Sequence, residues 1–176
     1  NYCFTTTALT SKVWLIYEDD AGEWQAKAVA DIGDASKIPL PVDISISADD
    51  NHLWINTWND GLVRLYDISD PFAPTQVMEK QIGEQVNMVS QSWDGERVYF
   101  TSSLLASWDK TTASEGNDLQ YFKLYNWDGE SLTPEFNLDF IELGLGAPHQ
   151  MRFGAHALYG GTSAQSPSGL GTPPAH

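Results

Sequence analysis

The chain has 176 residues, enough for one domain with a sizeable core, and its 41% hydrophobic content with seven Trp, seven Tyr and seven Phe argues against disorder. Twenty-four Asp and Glu against nine Lys and Arg give a formal charge of −15, which repels phosphate backbones and anionic lipid and excludes nucleic acid as a partner. One cysteine, Cys3, allows no internal disulfide, and no apolar run approaches the ~20 residues that cross a bilayer, so no membrane insertion is expected. The chain opens within a strand pattern and without an initiator Met, so a processed chain, a subunit or part of a longer protein is expected.

In chain order, β-branched and aromatic residues predict strands at 2–7, 12–18 and 24–32, with Asp20-Ala21-Gly22 as a hairpin turn. These read as the later strands of an incomplete blade spanning 1–38. Pro39-Leu40-Pro41 closes a link, and a strand is expected after it because proline cannot donate to a ladder. Strands follow at 42–47, 52–57, 62–67 and 75–82, with Asn59-Asp60-Gly61 as a turn, making a complete blade over 39–84. A second complete blade, 85–143, carries strands at 87–92, 97–102, 119–126 and 134–141 and a long inserted loop at 104–118. Residues 144–159 are expected to start a further blade, and the Gly-, Ser- and Pro-rich stretch 160–176 reads as a disordered tail.

The organising signal is a pattern written twice. Ser47-Ala48-Asp49-Asp50-Asn51-His52-Leu53-Trp54 is repeated by Ser92-Trp93-Asp94-Gly95-Glu96-Arg97-Val98-Tyr99, at an offset of 45 residues. A repeat of about 40–50 residues made of strands and turns is the mark of a β-propeller blade. The expected fold is all-β, about two and a half four-stranded blades of a larger propeller, and bare sheet edges call for further blades from this or another chain.

Among residues that could carry chemistry, His52 matches Arg97 in the repeat and reads as an exposed blade residue, and His176 ends the tail. His149 follows Gly146-Ala147-Pro148 and is expected to open the innermost strand of the next blade, where an imidazole could ligate a metal in the channel. His156 has no spacing that makes it a co-ligand. Asp49, Asp50 and Asp94 read as turn residues, Trp108 as an aromatic pinning the inserted loop, and Cys3 as a buried small hydrophobe. No nucleophile elbow, phosphate loop or Cys-x-x-Cys is present, and no catalytic residue emerges from spacing alone.

Three runs resemble the selenium-binding protein family, whose bacterial members are methanethiol oxidases. They are Val42-Asp43-Ile44-Ser45-Ile46-Ser47 with Trp58 and Arg64-Leu65-Tyr66-Asp67-Ile68-Ser69-Asp70-Pro71; Gln91 to Leu104 with Ser107-Trp108-Asp109-Lys110; and Gly146-Ala147-Pro148-His149-Gln150-Met151-Arg152-Phe153. The resemblance implies the C-terminal part of a seven-bladed propeller. It also implies a periplasmic, copper-dependent oxidation of methanethiol, with O2 and water, to formaldehyde, hydrogen sulfide and hydrogen peroxide. It places His149 at the one matching metal position in this chain, with further copper ligands from blades outside it, and puts Asn59 where the family commonly has histidine. The implied partners are the N-terminal remainder of the propeller, a small thiol substrate and a possible second copy in a homo-oligomer. The alternative is a non-catalytic propeller that docks a partner protein through its acidic surface, its inserted loop and its tail.

Overall fold

The computed structural model describes residues 1–151. The chain is all-β. Strands β1 (Tyr2–Thr7), β2 (Lys12–Glu18) and β3 (Trp24–Asp31) form a three-stranded antiparallel sheet. Strands β4 (Pro41–Ile46), β5 (His52–Thr57), β6 (Leu62–Asp67) and β7 (Thr75–Gln81) form the second sheet. Strands β8 (Val89–Gln91), β9 (Arg97–Thr101), β10 (Tyr121–Trp127) and β11 (Leu132–Asp139) form the third. Every neighbour pairing is antiparallel and follows chain order, the meander of a propeller blade.

The alternation along β5 explains how the sheets stack. Leu53 and Ile55 point into a core with Phe4, Val13, Leu15, Ile32, Tyr66 and Ile68, between the first two sheets. Trp54 points the other way, into a core with Val63, Leu65, Val98, Phe100, Tyr121 and Tyr125, between the second and third. A strand buried on both faces reads as a continuous apolar run, which is what Leu53-Trp54-Ile55 is. Each fully buried aliphatic side chain of these cores contributes about 1.5–3 kcal/mol. Polar stitches lock the seam between the second and third sheets: Val89 N–H donates to Asp43 Oδ2 (2.8 Å), and Gln91 Nε2 donates to Ser45 Oγ (2.7 Å).

The duplicated pattern is duplicated in geometry. His52 N–H donates to Ser47 Oγ at 2.9 Å and Arg97 N–H to Ser92 Oγ at 3.1 Å. Each serine hydroxyl in turn reaches its aspartate, Asp49 or Asp94. Asp50 sits at φ +58° where its counterpart Gly95 sits at +76°, so one left-handed residue closes each hairpin. The three aspartates are turn residues, as the composition of those loops suggests.

Several boundaries differ from expectation. Pro41 belongs to β4, paired with Thr57; it is tolerated because it is the first residue of an edge strand. Pro134 lies inside β11 rather than at its start, on an outer edge strand beside a register shift at Leu124/Tyr125. β8 covers only Val89–Gln91, and β10 starts two residues late, where Ser102 Oγ takes the Tyr121 N–H. Cys3 is exposed rather than buried, because β1 is an edge strand among the described residues and Cys3 lies opposite the buried face of Phe4. Residues 144–151 form no strand, and 152–159 and all of 160–176 lie outside the described residues, His156 and His176 included.

Candidate functional site

The end of the third sheet where β9 finishes and the chain enters β8 gathers polar groups around His149. Asn87 N–H donates to Thr101 O (2.7 Å) and Asn56 Nδ2 donates to Asn87 O (2.8 Å), so the chain just before β8 is held to β9 and to β5 of the neighbouring sheet. The segment 147–151 returns across this end. Ser103 N–H donates to Pro148 O (3.0 Å) and Thr101 Oγ1 to His149 O (2.6 Å).

His149 is itself exposed, but one edge of its ring is engaged. Nδ1 lies 2.8 Å from the Ser103 carbonyl oxygen and 3.0 Å from Asn87 Nδ2. A carbonyl only accepts, so the ring proton is assigned to Nδ1, donating to Ser103. Asn87 Nδ2 donates to the same carbonyl, and the two donors sit side by side because they share one acceptor. A neutral imidazole protonated on Nδ1 keeps its lone pair on Nε2, the arrangement seen where histidine binds a metal and its other nitrogen donates to a carbonyl.

The inserted loop closes over the same end. Asp109 Oδ2 accepts from Ser103 Oγ (2.6 Å) and Gln120 Nε2 (3.1 Å), while Oδ1 accepts from Leu104 N–H (3.0 Å). Lys110 N–H donates to Gln85 Oε1 (2.8 Å), and Lys110 Nζ donates to the carbonyls of Asn59 and Glu84, both at 2.7 Å, over the ring of Trp58. Backbone N–H donation from Ser114 holds the Glu84 carboxyl below its ordinary range, with Asn117 and Lys110 adding to the effect. Asp109 and Lys110 therefore pin the loop. Trp108 does not: it is 58% exposed, while the two charged residues that follow it make the contacts to the blade. Asn59 is tied down at both ends, its Nδ2 donating to Ile38 O (2.6 Å) and its carbonyl accepting from Lys110.

Among the other sequence candidates, His52 pairs with Asp49 (3.5 Å) as Arg97 pairs with Asp94 (3.3 Å), a blade-surface role in both copies. A groove of about 510 Å³ lies at the opposite end of β9, lined by Asp49, Asp94, Glu96, Trp127 and Asp128. Its aspartates are occupied with their own turns: hydrogen bonding from Ser47 depresses Asp49, and the backbone N–H groups of Ser131 and Glu130 hold Asp128 at about 2. Among the described residues no three His, Cys, Asp or Glu side chains cluster as a complete metal site. Asn87, Thr101 and Ser103 were not singled out by sequence. The signal available was weak, an Asn between Val86 and Met88 and a run of three small hydroxyl residues, Thr101-Ser102-Ser103, at a strand end.

The chain is 68% identical over 159 residues to a protein named methanethiol oxidase from Ruegeria pomeroyi, covering 90% of this chain and 36% of that protein. It is 60% identical over 153 residues to a methanethiol oxidase from a Hyphomicrobium species, covering 87% of this chain and 34% of the relative. The chain thus spans about a third of the length of these curated relatives. A hypothetical selenium-binding protein from Sulfolobus tokodaii superposes with a TM-score of 0.62 at 30% identity, over 76% of this chain and 36% of that one. The β-propeller domain of a Myceliophthora thermophila Cps50 (Swd1) protein shares the fold at 10% identity, TM-score 0.54, over 75% of this chain and 39% of that one. The model of the 56kDa selenium binding protein family matches residues 1–163, and the chain belongs to that family.

Proposed function

We propose that the longer protein of which this chain forms the C-terminal blades is a copper-dependent, periplasmic methanethiol oxidase. The observation that carries this reading is 68% identity to a methanethiol oxidase across 90% of the chain. The reaction balances as methanethiol, O2 and water giving formaldehyde, hydrogen sulfide and hydrogen peroxide: the thiol carbon is oxidised, O2 is reduced by two electrons, and water supplies the aldehyde oxygen.

His149 fits a copper site as one ligand. Its Nδ1–H is engaged by Ser103 and its ring is otherwise exposed, which leaves Nε2 to coordinate. With no second ligand cluster among the described residues, the other ligands would come from the N-terminal blades. Copper, when bound, supplies a one-electron redox centre between thiol and O2. This chain's own residues do the rest: Asp109 and Lys110 fix the loop beside the site, and Ser103 and Asn87 fix the ring. The apolar outer face of the third sheet, where Phe136 and Leu138 are 40% and 43% exposed, suits packing against another blade of the same propeller.

The test is metal content and turnover of the full-length protein, with peroxide and sulfide followed on addition of methanethiol and the protein located by osmotic-shock fractionation. Copper that co-purifies, is lost in His149→Ala and is required for turnover supports the reading. Full activity without copper overturns the metal assignment; copper-loaded protein that yields no peroxide overturns the oxidase assignment; retention in the cytoplasmic fraction overturns the location.

A further inference from the structure

Packing does not account for Asn87. The residue is fully buried, and its amide oxygen finds no hydrogen-bond partner among the described residues. An orphan acceptor of this kind costs about 1–3 kcal/mol, a cost that leucine, of similar volume, would not carry. Local rules broken at such a cost are concentrated at functional positions. What the amide does use is its donor end, directed at the Ser103 carbonyl beside His149 Nδ1.

That carbonyl has two lone pairs. One takes Asn87 Nδ2–H and the other takes His149 Nδ1–H, so Asn87 sets the direction in which the carbonyl faces the ring. Asn87 cannot drift, since its backbone is bonded on both sides, to Thr101 and Asn56. A free neutral histidine carries its proton mainly on Nε2; a hydrogen bond from the ring to the Ser103 carbonyl, which can only accept, requires the proton on Nδ1 instead.

We propose that Asn87 is a positioning residue that, acting through the Ser103 carbonyl, locks His149 in the Nδ1–H tautomer with Nε2 bare and facing a metal ion. The inference rests on the reading of His149 as a ligand. It extends the site to a residue 62 positions away in the chain.

The experiment uses the full-length protein labelled with 15N-histidine. In the metal-free form, long-range proton–nitrogen correlation reads the tautomer of His149, identified by the signal that His149→Ala removes. Copper titration then reads affinity. The wild type shows Nδ1–H; Asn87→Leu, folded, shows Nε2–H or a mixture, and binds copper roughly ten- to a hundred-fold more weakly, the usual effect of losing a group that orients a ligand. A folded Asn87→Leu with the Nδ1–H tautomer and unchanged copper affinity overturns the proposal. If the leucine variant does not fold, Asn87→Ser, whose hydroxyl is too short to reach the carbonyl, is read by the same two outcomes. Unchanged copper affinity in His149→Ala removes the ligand reading, and the tautomer measurement still decides the role of Asn87.

Discussion

His149 Nδ1 stands 2.8 Å from the carbonyl oxygen of Ser103, a residue 46 positions earlier in the chain. The contact joins the segment leaving the third sheet to the end of its second strand, next to the entry of its innermost strand. It turns an exposed histidine into a ring with one committed nitrogen and one available nitrogen. The inserted loop, through Asp109 and Ser103 Oγ, is bonded to the same residue that accepts from the ring.

Removing the Asp109 carboxylate should release that loop. Three donors, Ser103 Oγ, Leu104 N–H and Gln120 Nε2, lose one shared acceptor. Asp109→Ala is expected to lose about 2 kcal/mol of stability, since hydrogen bonds to charged groups are worth roughly 1.5–3 kcal/mol each and part of the site is open to water. Limited proteolysis read by mass spectrometry should place new cleavages within 104–118; a cleavage pattern like that of the wild type would contradict the pinning role.

Arg64 is the most enclosed cation of the second sheet, its side chain 4% exposed. Nη2 meets Asp60 at 2.7 Å, Nη1 donates to Thr57 Oγ1, and Nε lies 3.3 Å from Glu79 without the alignment of a hydrogen bond. Asp60 and Glu79 are 31% and 50% exposed, so the usual cost of breaking a buried pair is discounted to about 2 kcal/mol for Arg64→Met. Arg64→Lys should recover little, because one ammonium cannot reach Thr57 and Asp60 in the geometry of a guanidinium fork. Urea denaturation of both variants decides this, and a lysine variant as stable as the parent would refute it.

Two glycines with positive φ should respond differently to alanine. Gly61 has φ +66°, and an added Cβ would meet the Gly83 carbonyl oxygen at 2.1 Å. Gly129 has φ +97° and open space around it. Gly129→Ala should therefore cost only the left-handed penalty of about 1–2 kcal/mol, whereas Gly61→Ala should cost more than that because backbone must move as well. Thermal unfolding of the pair tests the ranking.

Acid should expose the contribution of Asp128. Its backbone donors Ser131 and Glu130 hold its carboxyl at about 2, below the ordinary 3.8. A depressed folded-state value means the stabilisation is present above 3.8 and is lost as pH falls from there towards 2. Asp128→Asn keeps an acceptor oxygen but cannot titrate. The stability difference between wild type and variant, from urea midpoints, should shrink across that window; a constant difference would show that the carboxylate does not contribute through its charge.

Much of the architecture was legible before any coordinates. Strands β1, β2, β5 and β6 fall where runs of β-branched and aromatic residues between turn signals place them. The Ser-x-Asp turns behave alike in both copies because an aspartate accepting from the N–H two residues ahead is a local device. The errors lie where neighbours in space, not in sequence, decide. Trp108 was expected to pin the loop, yet Asp109 and Lys110 found the partners. Cys3 was expected inside, yet it lies on an edge strand facing out.

The sequence by itself determined the kind of chain this is: its strands, its turns, its repeat and its family likeness. The strands and turns follow from backbone preferences and side-chain character over a few consecutive residues, and the repeat and the likeness are read directly along the chain. Only the tertiary structure decided that His149, Ser103 and Asn87 meet. Those contacts span 46 and 62 residues, and they exist because β5, β8 and β9 stack around shared cores and bring the end of one strand to the start of another. The engagement of the His149 ring by Ser103 and Asn87 is a property of that stacking, and no local pattern encodes it.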